Sequence, residues 1–376
     1  MEETRIALAP PSRQDQATVK RLLALATQSL AAMLDQQRQL FCFKLKKTER
    51  GMVQEGISQR YTAMTLMGLH RLQRAGGKSP FATMPIVDAL FSDLSWVDNV
   101  GDLGVMLWLC GVAYPERFSQ VELRLDPKTA LTRFKGARQG VTMELAWFLT
   151  GLSYWAQAFP GRSAELEPLA VETYKMLIQN QSAAGFFGHL STTGSLAGMA
   201  RGRTGSFADQ VYPIYGLAQF AKAYENEDAA QRALQCARGL CHLQGKSGQW
   251  WWHYDAPGGR VADGYPVFSV HQHAMGPMTL FGLGEVVHED FSSSIYKGLR
   301  WINRENELNF EMEDPANGVI WRCIYRSKRS LARYAKASLG FYSEKVEHDR
   351  AEDLKIMYEC RPYELGWLLY AFATRS

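Results

Sequence analysis

The chain has 376 residues, 46% hydrophobic and 21% charged, with 42 Lys and Arg against 38 Asp and Glu for a formal net charge of +4. So much apolar surface repays the entropy of folding, which excludes disorder as the main state. So small a charge is too weak a field for binding nucleic acid or an anionic membrane surface. No run of about 20 apolar residues occurs, the best being 105–114, so no integral membrane segment is expected.

The chain opens on Met1-Glu2-Glu3-Thr4-Arg5, without a basic stretch leading into an apolar one, and a cytoplasmic protein is expected. Five segments follow in which polar residues enter an apolar stretch ending at Gly-Leu or a close equivalent: 60–69, 102–112, 144–152, 209–217 and 271–283. A sixth, 361–370, closes the chain. The marker glycines of the first five lie 43, 40, 65 and 66 residues apart. A helical hairpin with its turns takes about 40 residues, so the longer steps are hairpins with extended loops. Between them, 166–178 and 229–242 alternate charged and apolar positions at helical spacing. Apolar inner helices alternating with amphipathic outer ones predict an all-α fold, an (α/α) toroid of five to six hairpins in one domain spanning 1–376. Strand signals are scarce, Tyr265-Pro266-Val267-Phe268 being the main exception. The Gly/Ser-rich stretch 191–206, with Arg201 and Arg203, reads as a flap over a cavity. Six scattered cysteines (Cys42, Cys110, Cys236, Cys241, Cys323, Cys360) suggest reduced, mostly buried thiols.

Two turns share one pattern: Gln181-Ser182-Ala183-Ala184-Gly185-Phe186-Phe187 and Gln244-Gly245-Lys246-Ser247-Gly248-Gln249-Trp250 both read Gln-x3-Gly-x-aromatic. This resembles the QW repeat of the terpenoid cyclase and protein prenyltransferase superfamily. The resemblance covers about 181–283 and implies a toroid in which the Gln caps a helix end and ties outer helix to inner. Its chemistry is harder to find. Glu311-Met312-Glu313-Asp314 departs from the Asp-x-Asp-Asp acid of those cyclases at two of three acids, and Asp93, Asp98, Asn99 and Asp102 form no diphosphate–Mg²⁺ motif. Asp209 with Tyr212 and Tyr215 is similar to one corner of a prenyltransferase zinc site, but no cysteine matches, and Cys236 to His242 lie on an outer helix. No metal or cofactor is expected. Separately, 265–272 and Trp301-Ile302-x-x-Glu305-Asn306-Glu307-Leu308 are similar to toroid proteins of bacterial exopolysaccharide gene clusters, which implies a saccharide ligand.

The densest polar–aromatic cluster is 249–273, holding three of the eight histidines and three of the ten tryptophans. Flat rings stack on sugar C–H faces while Asp, Gln and His fix hydroxyls, so a carbohydrate or glycoconjugate cleft is expected here. The stacking and binding candidates are Trp250, Trp251, Trp252, His253, Asp255, Gln272, Tyr212, Arg322 and Arg60. Glu144 and Asp209 each precede their marker glycine by seven residues, so both project at one depth and can divide acid and base work. The same spacing also suits first-turn acids that complement helix dipoles. His271 and His273, with Tyr254 or Tyr265, are the candidate proton carriers. The expected function is metal-independent acid/base catalysis on a saccharide, as lyase, epimerase or hydrolase. Isoprenoid chemistry, in which rings stabilise a carbocation, and a non-catalytic scaffold remain the alternatives. An open cleft with His, Asp and Arg converging distinguishes the first reading; a ring-lined cavity with almost no polar atoms, the second; a filled cavity, the third. Oligomeric state is not legible in the sequence.

Overall fold

Each apolar segment forms a helix, and each amphipathic one packs outside it. The computed structural model describes residues 11–193, 202–327 and 351–375; the centre of the stretch read as a flap, 194–201 with Arg201, lies outside the described residues. In chain order the helices are α1 (Arg13–Met33), α2 (Gln59–Arg74), α3 (Met84–Ser92), α4 (Val100–Ala113), α5 (Phe118–Arg124), α6 (Pro127–Gly136) and α7 (Thr142–Ala158). After them come α8 (Ser163–Ile178), α9 (Ala208–Tyr224), α10 (Glu227–His242), α11 (Gly276–Val287, entered through a π-helical turn, His271–Met275), α12 (Ser292–Ile302) and α13 (Pro362–Phe372). In α4 every residue from Val100 to Cys110 is buried, whereas α10 buries one face through Ala229, Ala233, Cys236, Ala237 and Leu240.

Helices α2, α4, α7, α9, α11 and α13 each pack on the next, and α13 returns to α2, closing a ring of six inner helices. The remaining helices lie outside it: α3 on α2, α5 and α6 on α4, α8 on α7, α10 on α9, α12 on α11 and α1 on α13. The marker glycines, together with Gly104 and Gly366 on the same inner helices, are points of close contact in the inner ring. A methyl group at Gly104 would run into the main chain of Trp147 and Phe148, one at Gly151 would lie 2.5 Å from the Gly104 carbonyl, and one at Gly366 would lie 2.7 Å from Thr65 Cα. Adjacent inner helices thus touch through their backbones, which no larger residue permits.

The two Gln-x3-Gly-x-aromatic turns are one device used twice. Gln181 Nε2 donates to its own turn at Gly185 O (3.0 Å) and to Arg232 O of α10 (3.0 Å); Gln244 Nε2 donates to Gly248 O (3.0 Å) and to Ser294 O of α12 (2.9 Å). Gly185 and Gly248 sit at φ +88° and +90°, a conformation that favours glycine. The tie therefore runs to the next outer helix. The link to the inner helix, which the resemblance placed on the same Gln, is made by another: Gln210 brackets the backbone of Phe187 from α9, and Gln272 brackets Trp250 from the π-helical turn.

Strands are short but more numerous than the sequence suggested. A hairpin of Leu40–Thr48 and Gly51–Ile57 precedes α2, and Gln139–Val141, Thr204–Ser206, Val267–Phe268 and Glu359–Cys360 lead into α7, α9, the π-helical turn and α13. Val267–Phe268 does pair, with Ile324 and Cys323. These strands gather at one end of the barrel, where the inner helices begin. All six cysteines are free thiols, five of them buried. Among the described residues no helix is long and apolar enough to cross a membrane.

Gly104→Ala is expected to lower the stability to urea by about 1–3 kcal/mol through overpacking of α4 against α7. Gly136→Ala, where the added methyl meets nothing within 4 Å, is expected to leave it unchanged or raise it by under about 1 kcal/mol.

Candidate functional site

Every inner helix carries a polar residue in its first turn or at its entry: Arg60, Asp102, Glu144, Asp209, His271 and Glu364. The ring brings these six around one mouth, with six helix N-termini whose dipoles favour negative charge. Inside the mouth is a cavity of about 200 Å³. Its walls are rings, Tyr61, Trp147, Tyr212, Trp252, Phe268 and Tyr363, with Met64, Met143 and Met275 between them; Arg60, His271 and Arg322 supply polar groups. Beneath it the barrel axis is filled. Trp367 Nε1 donates to Tyr212 OH (3.0 Å), the Trp367 ring stacks on Trp108 (4.9 Å), and Trp108 Nε1 donates to Tyr370 OH (3.2 Å). The Tyr154, Tyr215 and Tyr370 hydroxyls then form a triangle with sides of 2.7 to 3.0 Å. Among the described residues, this stack closes the axial end of the cavity.

On the α9 side of the mouth, Asp209 is 1% exposed. Its Oδ2 accepts from Ser206 N (2.8 Å), Ser206 Oγ (2.7 Å) and His189 Nδ1 (2.9 Å), while Oδ1 carries none of these bonds. Its chain neighbour Ala208 lines the cavity, as does Met143 beside Glu144. Burial pushes the Glu144 carboxyl above its ordinary range and Asp102 adds to the rise, against the pull of Arg60 and His189. Glu144 Cβ and Cγ pack over Gly101, where a methyl group would collide with them. Arg60 Nε donates to Asp102 Oδ1 (2.5 Å), and Asn99 Nδ2 holds Oδ2 of the same carboxylate (2.6 Å).

Opposite, Arg322 lies 4.9 Å from the Phe268 ring and is gripped by two carboxylates, Glu364 through Nη1 and Glu359 through Nε at 3.1 Å. A guanidinium has five N–H donors, so these pairings leave some for a ligand. His271 packs against Phe207 (4.3 Å) and lies parallel to Trp252 (6.0 Å, 7°). Burial pushes His271 down to about 3 and His253 to about 4, so both are neutral imidazoles at physiological pH.

The structure thus brings together on the cavity wall Arg60, Tyr212, Trp252, His271 and Arg322, with Glu144 and Asp209 beside it and His253 next to Trp252. It sets the other candidates behind the wall. Trp250 wedges under Gly276 and Gly298, and Trp251 Nε1 donates to Leu243 O (3.0 Å). Tyr254 is fully buried against Phe186, Asp255 pairs with Arg260 (3.2 Å) at a hairpin turn, and Gln272 spends its amide on backbone. Tyr265 donates to Glu307 (2.9 Å), which also accepts from Gln249 and Trp301 in the outer layer. His273 is 0% exposed, one residue beyond Gln272, and neither ring nitrogen has a partner. Of the tryptophan run read as a stacking wall, only Trp252 reaches the cavity. The other two fix the loop that carries it: Trp251 points to the opposite side from Trp252, and Trp250 is held under Gly276 and Gly298 with its backbone bracketed by Gln272.

His189 was not among the sequence candidates. The internal repeat could have found it: aligning the two Gln-x3-Gly turns places His189 on Trp252, and with a one-residue gap after it Asp209-Gln210 falls on His271-Gln272. Among the described residues no group of three or more His, Cys, Asp or Glu side chains is placed to hold a metal ion.

No protein-family model matches the chain and no curated protein does. Solved structures do. A possible member of the GH105 family from Salmonella enterica serovar Paratyphi A superposes with a TM-score of 0.63 at 12% identity, covering 100% of this chain and 97% of its own. An unsaturated glucuronyl hydrolase from Bacillus sp. GL1, described as responsible for degradation of glycosaminoglycan, gives 0.58 at 13%, covering 96% of each chain. A variant of unsaturated glucuronyl hydrolase from Streptococcus agalactiae, complexed with dGlcA-GalNAc6S, gives 0.60 at 11%, covering 98% of each. At these identities the likeness establishes the helical toroid fold alone.

His271 and His273 are each depressed to about 3 by burial, below the ordinary 6.5 of the unfolded chain. The unfolded state therefore takes up their protons first. Their contribution to stability is complete above about pH 6.5 and falls by about 1.4 kcal/mol per pH unit per histidine as the pH drops toward 3. His273→Leu is expected to raise stability at neutral pH by about 1–3 kcal/mol, removing an unpaired buried polar group, and to flatten that acid limb in urea titrations at stepped pH.

Proposed function

We propose that this protein is a carbohydrate-active hydrolase that takes the terminal unit of a short acidic saccharide into its one-ended cavity. One observation carries the reading: a dead-end, ring-walled cavity that also presents two arginines, with Glu144 and Asp209 beside it. Rings alone would suit an isoprenoid cation; Arg60 and Arg322 on the wall suit an anionic, hydroxyl-rich ligand instead. A volume near 200 Å³ is at or below the lower end of ordinary ligand sites, roughly 300–1,000 Å³, and accommodates one ring rather than a chain. Two of the solved structures named above point the same way, being unsaturated glucuronyl hydrolases by name, one of them holding a uronyl disaccharide.

In this reading Trp252 and Tyr212 pack against the sugar ring, and Arg322 meets its carboxylate. Glu144, its proton held by burial, is the acid that protonates the substrate. Asp209 is the base that draws a proton from the attacking water through the free Oδ1, with Ser206 and His189 fixing the other oxygen. Two carboxyl groups with different environments divide the acid and base roles. His271, neutral and packed between rings, is a hydrogen-bonding group of the wall rather than an acid.

The test is hydrolysis of an unsaturated uronyl disaccharide, followed by release of the reducing-end sugar. Glu144→Gln and Asp209→Asn are each expected to lower kcat by about 10²–10⁴, and Trp252→Ala to raise KM. Full activity in both carboxylate variants, or binding of prenyl diphosphates in place of any saccharide, would overturn the assignment.

A further inference from the structure

Arg322 is an unusual anion reader because two carboxylates already hold it. Glu364 bonds Nη1 and Glu359 lies 3.1 Å from Nε, with Arg322 itself only 9% exposed. A third carboxylate brought to this guanidinium would meet two others in a desolvated wall, where like charges repel strongly. The two resident acids are not equivalent. Glu359 is shared among Arg322, Arg361 (3.1 Å) and Lys44 (3.3 Å), and these cations hold its carboxyl below the ordinary range despite burial. Glu364 bonds one cation through Oε1; its Oε2 is buried without a hydrogen-bond partner, and the residue is 1% exposed. An oxygen in that state gains most from a proton.

The groups facing Glu364 come from every side. Arg361 and Tyr363 share its helix, Arg322 and Cys323 come from the strand segment, Glu359 and Cys360 from the strand before α13. From α2, Tyr61 OH accepts from Arg361 (3.1 Å), and from the hairpin Lys44 reaches Glu359. His271, in the π-helical turn packed on α13, is already neutral. None of the others is a carboxyl with an unpaired oxygen, and burial raises Glu364 toward protonation, with Glu359 adding to the rise, against Arg322, Arg361 and the Arg361 backbone N–H, which favour its charged form.

We propose that Glu364 is the proton partner of Arg322: an anionic group that enters the cavity at Arg322 binds together with one proton from solvent, which Glu364 Oε2 takes up. Glu364 is thus a positioning residue, acting through Arg322, and it ties the site to acidic ligands without leaving a surplus charge in the wall when the cavity is empty. This rests on the saccharide reading above.

The experiment is isothermal titration calorimetry of the whole protein with glucuronate and with methyl glucoside, in two buffers of different ionisation enthalpy. For the native protein, glucuronate is expected to bind with uptake of about one proton, and its affinity to rise about tenfold for each unit the pH is lowered while Glu364 is ionised in the free protein. Glu364→Gln is expected to bind glucuronate with no uptake and with a pH-independent affinity. Binding without proton uptake in the native protein, or uptake that persists in Glu364→Gln, overturns the proposal while leaving the saccharide reading intact. Binding of methyl glucoside but not glucuronate overturns both the anionic reading and this proposal. Because the native protein alone gives the proton count, an unfolded variant does not remove the test.

Discussion

Where α13 meets α2, the last inner helix lies backbone to backbone against the first, with Gly366 over Thr65 and Gly68 under the Gly366 carbonyl. Everything at the mouth depends on that contact. It places Tyr363 4.5 Å from Tyr61 and lets Arg361 donate to the Tyr61 hydroxyl, joining residues 300 positions apart in the chain. It also seats Glu364 beside Arg322. A side chain at either glycine would open the seam and separate the two halves of the cavity wall. Gly104 and Gly151 repeat the arrangement between α4 and α7, and Gly216 of α9 lies against the Ala146 carbonyl of α7, so at these seams the spacing of the inner helices is set by backbones in contact; Gly282 of α11 instead receives the Tyr215 ring.

A ring built this way concentrates polarity. Outer helices turn their charged faces to solvent, and inner helices are apolar along their length, so the first turns are the place where buried polar groups can be satisfied. Strands feeding those turns provide partners, Ser206 for Asp209 and Glu359 for Arg322, and the Gln-x3-Gly turns supply the backbones of Phe187 and Trp250 to the bracketing glutamines. Buried charges persist where they are paired, as Arg60 is with Asp102 and Arg322 with its two acids. Glu144 lacks a direct ion pair of this kind, and its carboxyl rises accordingly.

The architecture was legible because it repeats. Six apolar segments became six inner helices, and the glycines that marked them proved to be the contact points, including Gly366, which the sixth segment carried without the Gly-Leu form. The positions of Glu144, Asp209 and Arg60 at the mouth were legible for the same reason, since a first-turn position in a toroid faces the mouth; Arg322, just before a strand, stood out only by its aromatic neighbours. What periodicity could not show was which of several adjacent rings turns inward. Trp250, Trp251 and Trp252 are identical in type and differ in fate, decided by contacts distant in sequence: Gln272 holds the backbone of Trp250, Leu243 O takes the Trp251 N–H, and Trp252 is left to the cavity. The hairpin at 40–57 was also overlooked, although Leu40-Phe41-Cys42-Phe43-Lys44-Leu45 passes from apolar to alternating residues before the turn that ends at Gly51. His189 was missed because a lone histidine beside glycine carries no signal until the two repeats are laid over each other.

The stack from Trp367 through Trp108 to the three tyrosine hydroxyls has a kinetic meaning as well as a structural one. With the axial end of the cavity filled, a ligand would enter and leave by the mouth where the inner helices begin. Under the proposed hydrolysis, turnover would then be a queue of one, in which the split-off terminal unit would compete directly with fresh substrate. The groups that grip that unit in the cavity also set how quickly it leaves.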